Sequence, residues 1–259
     1  MKIKEVVEAL EKFAPLPLQE SYDNAGLQVG ITGSECSGAL LCLDVTEEVI
    51  EEAVREGFNL VIAHHPILFR GLKRITIDTQ VERCVRLAIR HDIALYASHT
   101  NLDNALGGVS FEMAQRMGLQ EVSFLEPSAD GQSGSGVVGM LLTPTDAETY
   151  LKTLKNLFGV ECLQYTPGPK SKISRVALCG GSGDFLIDAA VRAQADLFVT
   201  GEIGYHRFFG REGELWLAAL GHYQSERFTI ELMERIVRQA HPQLRTKATH
   251  IHTNPIQYI

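Results

Sequence analysis

The sequence predicts an α/β fold in two halves, with largely parallel sheets whose faces are covered by helices. Three observations carry this. Short apolar runs recur with the length and character of buried strands. Most of them alternate with helical patterns, as in parallel sheets built from strand–helix–strand units. A small, polar, glycine-rich stretch, Pro127–Gly136 (PSADGQSGSG), then interrupts the pattern as a loop or linker. A boundary near residue 130 gives expected units of 1–128 and 129–259.

The elements follow in order. MKIKEVVEALEKF opens as a helix with Ile3, Val6, Val7, Leu10 and Phe13 on one face. Strands are expected at Ala39–Leu43, Phe58–Ala63 and Ile93–Ala97, with helices at Glu47–Glu56, Thr79–His91 and Ser110–Met117. In the second half, strands are expected at Val137–Leu142, Arg175–Leu178, Asp196–Thr200 and Leu215–Leu220. Helices there are expected at Asp146–Phe158, Phe185–Gln194 and Arg227–Gln239, with a loop at Thr166–Lys172. Thr249–Thr253 is a candidate edge strand in a weakly patterned C-terminal segment, 243–259, able to pack back on the first unit.

Composition narrows the function. The 24 basic and 32 acidic residues leave a formal charge of −8, which argues against broad binding to nucleic acid or anionic membranes. A nucleic-acid clamp would need Arg70, Lys73, Arg74 and Arg207 on one surface. No apolar run is long enough to span a bilayer. The N-terminal helix lacks the apolar core and cleavage site of a signal peptide. The five scattered cysteines form no CxxC, as expected of reduced thiols in a cytoplasmic protein.

Several apolar runs end in residues able to bind a metal or a substrate. Leu40–Leu43 leads into Asp44, Leu60–Ala63 into His64-His65, and Ala94–Ala97 into His99 and Asp103. Leu197–Thr200 leads into Glu202 and His206, and Trp216–Leu220 into His222 and Glu226. Ligands of parallel sheets bind just beyond the carboxyl ends of the strands. Imidazole with carboxylate suits zinc, iron, manganese, nickel or cobalt. His222 and Glu226, four apart, share a face if that stretch is helical. Adjacent His64 and His65 point apart on a regular strand, but the exit into Pro66 breaks strand geometry. Taken singly, each residue has an ordinary structural explanation: Asp44 or Asp103 as a helix N-cap, Glu226 as a solvated residue, a lone histidine as a hydrogen-bonded one. His91, His241, His250 and His252 take that structural reading. Taken together, the strand-end histidines and acids favour a metal site. GGSGDF (180–185) lacks a P-loop lysine and fits a tight turn slightly better than a phosphate cradle, and no GxSxG occurs.

The ordered motifs SYDNAGLQVG (21–30), IAHHPILFRGLK (62–73), YASHTNLDNALGGV (96–109), VTGEIGYHRFF (199–209) and GHYQSE (221–226) resemble those of the GTP cyclohydrolase I type 2 homologue family. This is the dinuclear metal centre, NGG-interacting-factor-three-like family, here in a short form without the larger central insertion. The resemblance covers nearly the whole chain. It implies two similar α/β units with a metal site in the cleft between them, and a toroidal homohexamer. It further implies two divalent metal ions per subunit, held by His64, His65, Asp103, His222 and Glu226, with Glu226 as bridge. Tyr22 and Leu220 depart mildly from the family pattern, and neither is a ligand.

The function expected is a metal-dependent hydrolase acting on a small molecule such as a nucleotide. His99, with Glu202 or His206, is the acid/base candidate, or else His99 orients Asp103. The alternative is a non-catalytic, metal-binding, ring-forming regulatory or scaffold protein.

Overall fold

The computed structural model describes residues 1–259. In chain order its first elements are α1 (Ile3–Phe13), β1 (Gly26–Val29), β2 (Ala39–Cys42), α2 (Glu47–Glu56), β3 (Leu60–Ala63), α3 (Gln80–Arg90), β4 (Ala94–Ala97) and α4 (Thr100–Asp103). Then follow α5 (Val109–Arg116), β5 (Gln120–Pro127), β6 (Gly134–Asp146), α6 (Ala147–Phe158), β7 (Gln164–Thr166), β8 (Lys172–Cys179) and α7 (Ile187–Arg192). The last are β9 (Leu197–Thr200), β10 (Trp216–Ala219), α8 (His222–Glu226), α9 (Thr229–Ala240) and β11 (Thr246–Ala248). No helix is long and apolar enough to cross a membrane.

Two compact units result, Met1–Leu102 with Thr229–Pro255, and Asp103–Phe228 with Ile256–Ile259. The break expected near residue 130 falls instead inside a β-hairpin of the second unit. Pro127 pairs with Gly134, so the glycine-rich stretch is a turn and not a linker between units. Composition marks a turn and a linker alike, since both need small polar residues.

The first unit holds a sheet ordered β1-β4-β3-β2-β11, parallel except for β1. Strands β2, β3 and β4 are buried at every position, which is why they read as unbroken apolar runs. Leu40, Val61 and Leu95 meet Val49, Ile50 and Ala53 of α2 in its core. Thr46 and Thr79 start α2 and α3 as N-caps, their hydroxyls accepting from Val49 N and Glu82 N. The C-terminal segment returns as β11, slightly earlier than the expected Thr249–Thr253. Buried Glu52 of α2 fastens it by pairing with Lys247 at 3.2 Å and His250 at 2.6 Å.

The second sheet runs β5-β6-β8-β9-β10-β7. Only β8–β9 and β9–β10 are parallel; β5, β6 and β7 pair antiparallel. The expectation of mostly parallel sheets therefore holds for the first sheet, and the second is mixed. The short connection between β5 and β6 permits only a hairpin, whereas a parallel crossover needs a dozen or more residues. The helix expected at Phe185–Gln194 is a 3-10 turn, Asp184–Leu186, followed by α7. The helix expected from Arg227 is two helices, α8 and α9.

Asp196, at the start of β9, fastens two strands of this sheet. Its Oδ2 accepts from the backbone N–H groups of Ser174 (2.8 Å) and Arg175 (2.9 Å), and its Oδ1 from Lys170. Burial pushes this carboxyl up, but those donors outweigh it and hold its pKa below the usual value. A carboxyl depressed on folding contributes fully above its unfolded pKa, about 3.9 for Asp, and loses its contribution as pH falls through the folded value. Asp196→Asn should lower stability by about 1–3 kcal/mol at neutral pH. The gap between variant and wild-type thermal midpoints should close below about pH 4. A gap constant down to acid would show that the ionised carboxylate contributes nothing.

Candidate metal centre

In the first unit, β3 and β4 end side by side, and their exits carry three imidazoles. Backbone bonds continue past β3, from His64 N to Cys42 O (3.2 Å) and from His65 N to Leu43 O (3.0 Å), before the chain turns at Pro66. The two adjacent side chains then point to one region, with ring centroids 4.9 Å apart. The His99 ring, from the end of β4, lies 5.3 Å from that of His64 and 5.5 Å from that of His65. One nitrogen of each ring lies within 4.8 Å of the others.

Each imidazole is held by an acceptor at Nδ1. His64, fully buried, faces the Ser98 carbonyl at 2.8 Å. His65 faces Asp44 Oδ1 at 2.7 Å, and Asp44 Oδ2 accepts from the Thr253 hydroxyl at 2.7 Å. His99 faces Asp23 Oδ1 at 2.7 Å, while Asp23 Oδ2 accepts from the Thr100 backbone (3.1 Å) and hydroxyl. Carbonyl and carboxylate oxygens only accept, so each Nδ1 donates its hydrogen, and in the neutral ring the lone pair then lies at Nε2. Burial pushes the Asp44 carboxyl up, but its bonds from His65 and Thr253 hold it below the usual range. Burial acts the same way on Asp23, and the bonds from His99 and Thr100 hold it well below. Asp44 is thus a clamp on His65. The N-cap of α2 is Thr46.

In the second unit, α8 begins where β10 ends, and His222 and Glu226 stand one turn apart on it. His222 Nε2 lies 3.1 Å from Glu226 Oε2, and His222 Nδ1 lies 3.3 Å from Glu202 Oε1. Glu202 therefore backs His222 as Asp44 backs His65, and its other oxygen accepts from the Ser182 hydroxyl at 2.6 Å. Carboxylate oxygens of Asp103 and Glu226 come within 4.8 Å of each other. His206 takes another course, its ring packing on Tyr205 and Phe209.

GGSGDF turns out to be a tight turn that serves this group. Ser225 Oγ accepts from Gly181 N (3.0 Å), and Thr200 Oγ1 accepts from Gly183 N (2.9 Å) while donating to Gly181 O (3.0 Å). Gly181 has φ +60°, and a methyl group there would lie 2.2 Å from Glu226 Oε1 and 3.5 Å from His222 Cε1. Only glycine lets the backbone pass so close to the carboxylate.

Each unit's donors suit a divalent transition ion: in the first, imidazoles clamped at Nδ1; in the second, His222 with the carboxylates of Asp103 and Glu226. Three other histidines have structural roles. His91 caps α3, His241 bonds the Glu5 carbonyl, and His250 pairs with Glu52. Sequence reasoning did not find Asp23, although it lies within a quoted motif, because nothing local ties it to His99.

The sequence model of the DUF34/NIF3 (NGG1p interacting factor 3) family matches residues 1–255. The chain belongs to this family. A Clostridium perfringens relative named GTP cyclohydrolase 1 type 2 homolog is 35% identical over 87% of each chain. One of the same name from Lactococcus lactis is 37% identical over 80% of this chain and 79% of its own length. The DUF34/NIF3 fold is equally evident in the crystal structure of Staphylococcus aureus protein SA1388. That structure superposes with a TM-score of 0.91 at 28% identity, covering 100% of this chain and 99% of the other.

In this DUF34/NIF3 chain, Gly181→Ala is expected to displace Glu226 and abolish tight binding of divalent ions, measured by equilibrium dialysis with zinc or manganese. The added left-handed strain costs about 1–2 kcal/mol. Gly57→Ala is the control: its φ is +73° with nothing within 4 Å of an added methyl group. Both variants should melt earlier, and only Gly181→Ala should lose metal. Equal metal retention would remove the close approach at Gly181 as a requirement.

Proposed function

We propose that the protein is a metal-dependent hydrolase of a small molecule, a nucleotide being the first candidate. His64, His65, Asp103, His222 and Glu226 would together hold two divalent ions. The single observation that carries this reading is the pair of Nδ1 clamps on adjacent His64 and His65, which directs both Nε2 atoms as ligation requires. The names of the relatives add the nucleotide, and their wording extends no further. The ring-shaped homohexamer implied by the resemblance and the cytoplasmic location expected from the scattered cysteines belong to the same proposal; sedimentation of the purified chain tests the ring.

Divalent ions held by these residues would supply Lewis-acid activation of water and polarisation of a substrate oxygen. The chain's own residues do the rest. The acceptors behind His64 and His65 hold Nδ1 as donor and leave Nε2 for ligation. Asp23 holds His99 with Nδ1–H donated, so His99 accepts or delivers a proton at Nε2. Asp23, being held ionised, favours the imidazolium that forms when His99 takes that proton.

Elemental analysis should find about two transition-metal ions per chain. His65→Ala and Glu226→Ala should each lose at least one of them, and full occupancy in both variants would sink the assignment. An unbiased metabolite screen with mass-detected products then seeks the substrate. Once turnover is found, His99→Ala and Asp23→Asn should each lower kcat by about 10²–10⁴-fold with metal content unchanged. Unchanged kcat in both would remove the dyad from the chemistry.

A further inference from the structure

Strands β8 and β9 are parallel, so their amino ends share one edge of the second sheet. A cavity of about 580 Å³ opens there, lined from the start of β8 and from the turn between α7 and β9. Glu202 and His222 belong to the other edge. The four residues of β9 alone separate the two by about 13 Å, at about 3.3 Å per residue.

The cavity carries uncompensated positive charge. Lys170, Lys172 and Arg175 line it against the carboxylates of Asp196 and Glu214. Both carboxylates are already engaged. Asp196 accepts from Lys170 and from the backbone of Ser174 and Arg175, and Glu214 Oε2 accepts from Arg211 Nη1 at 2.7 Å. Lys172 and Arg175 have no ion-pair partner. Arg175 is the more telling of the two. Its side chain is half-buried, its Nε is fully buried with no acceptor, and its Nη1 reaches only the Met140 sulfur, at 4.0 Å. Buried donors ordinarily have partners, and a charged one without a partner is costly. The end of α7 does not supply one: the carbonyls of Ala190 and Val191 accept from Ala195 N (3.0 Å) and Gln194 N (2.9 Å). A cation held with so little compensation draws an anion into the cavity.

The donors set the class of anion. Arginine offers a fork to two oxygens, and lysine a point charge. The Ser174 hydroxyl, in the same lining, adds a neutral donor that nothing else in the chain engages. Two unpaired positive charges match a dianion. A carboxylate brings one charge and two oxygens, whereas a phosphate group brings a charge near −2 and three free oxygens. The volume lies within the range of about 300–1,000 Å³ usual for small-molecule sites. We infer that the cavity at the amino ends of β8 and β9 binds a phosphate dianion, free or as the monoester of a small molecule, through Arg175, Lys172 and the Ser174 hydroxyl. The site stands apart from the proposed ion-binding residues and does not depend on them.

Calorimetric titration of the metal-loaded chain with inorganic phosphate, at constant ionic strength, tests the assignment. Phosphate should bind saturably, and acetate at least about tenfold more weakly. Lys172→Gln and Arg175→Gln should each weaken phosphate at least about tenfold. Lys172 is exposed, so its variant keeps the fold and remains a fair test if Arg175→Gln does not. Glu226→Ala, which removes a proposed ion ligand, should leave this binding intact. Acetylation by a succinimidyl ester, followed by mass spectrometry, locates the ligand. Phosphate should slow the modification of Lys172 and leave that of exposed Lys152 on α6 unchanged. Glycerol phosphate binding more tightly than inorganic phosphate identifies a monoester as the ligand, and equal binding identifies the free ion; both uphold the site. Absence of saturable phosphate binding overturns the inference. So does binding that neither weakens in Lys172→Gln nor protects Lys172. Acetate binding as tightly as phosphate overturns the match to a dianion. Binding lost in Glu226→Ala but kept in Lys172→Gln would put the phosphate on bound ions and overturn the site.

Discussion

A neutral imidazole has one lone pair, and whatever accepts a hydrogen bond from its other nitrogen decides where that lone pair points. The candidate centre is built on this constraint. Ser98 carbonyl, Asp44 and Asp23 each stand behind a histidine of the first unit at Nδ1, so His64, His65 and His99 all present Nε2 forward. Without those acceptors the same rings would populate both tautomers and several rotamers, and an ion would have to order them on binding. The cost is two carboxylates, Asp44 and Asp23, held ionised although partly or wholly buried. Asp44 and Asp23 show how it is met: burial opposes their charge, and the bonds from imidazole and threonine outweigh it.

The scaffold explains how so many polar groups reach the right places. Central strands buried on both faces end abruptly, and their carboxyl ends release the chain into turns. His64 and His65 follow β3, His99 follows β4, Glu202 follows β9, and His222 follows β10. The turn at Gly181 adds the converse feature, a stretch of backbone with no side chain where Glu226 must pass. Rigid strands with short exits position these residues more closely than long loops would.

How much was legible depended on burial and on distance along the chain. β2, β3, β4, β9 and β10 stand out in the sequence because each is buried throughout. β1, β5 and β7 do not, since edge strands with exposed positions mix polar and apolar residues without a clean period. The hairpin turn of the second sheet and a linker have the same composition, which displaced the expected boundary. The four-residue spacing of His222 and Glu226 was legible as one helix face. Asp23 was not, because its partner His99 is 76 residues away and no local pattern connects them.

By itself the sequence determined the α/β class, the buried strands and the histidines and acids at their ends. These are local consequences of apolar patterning, and a strand's last residue is fixed once its apolar run ends. Tertiary structure decided which strands became edges, that the C-terminal segment rejoins the first sheet as β11, and which oxygen stands behind each imidazole. Such pairings depend on chain segments meeting after the sheets have formed. A residue type can state that a side chain is able to accept a hydrogen bond, but only the packed fold brings the donor to it.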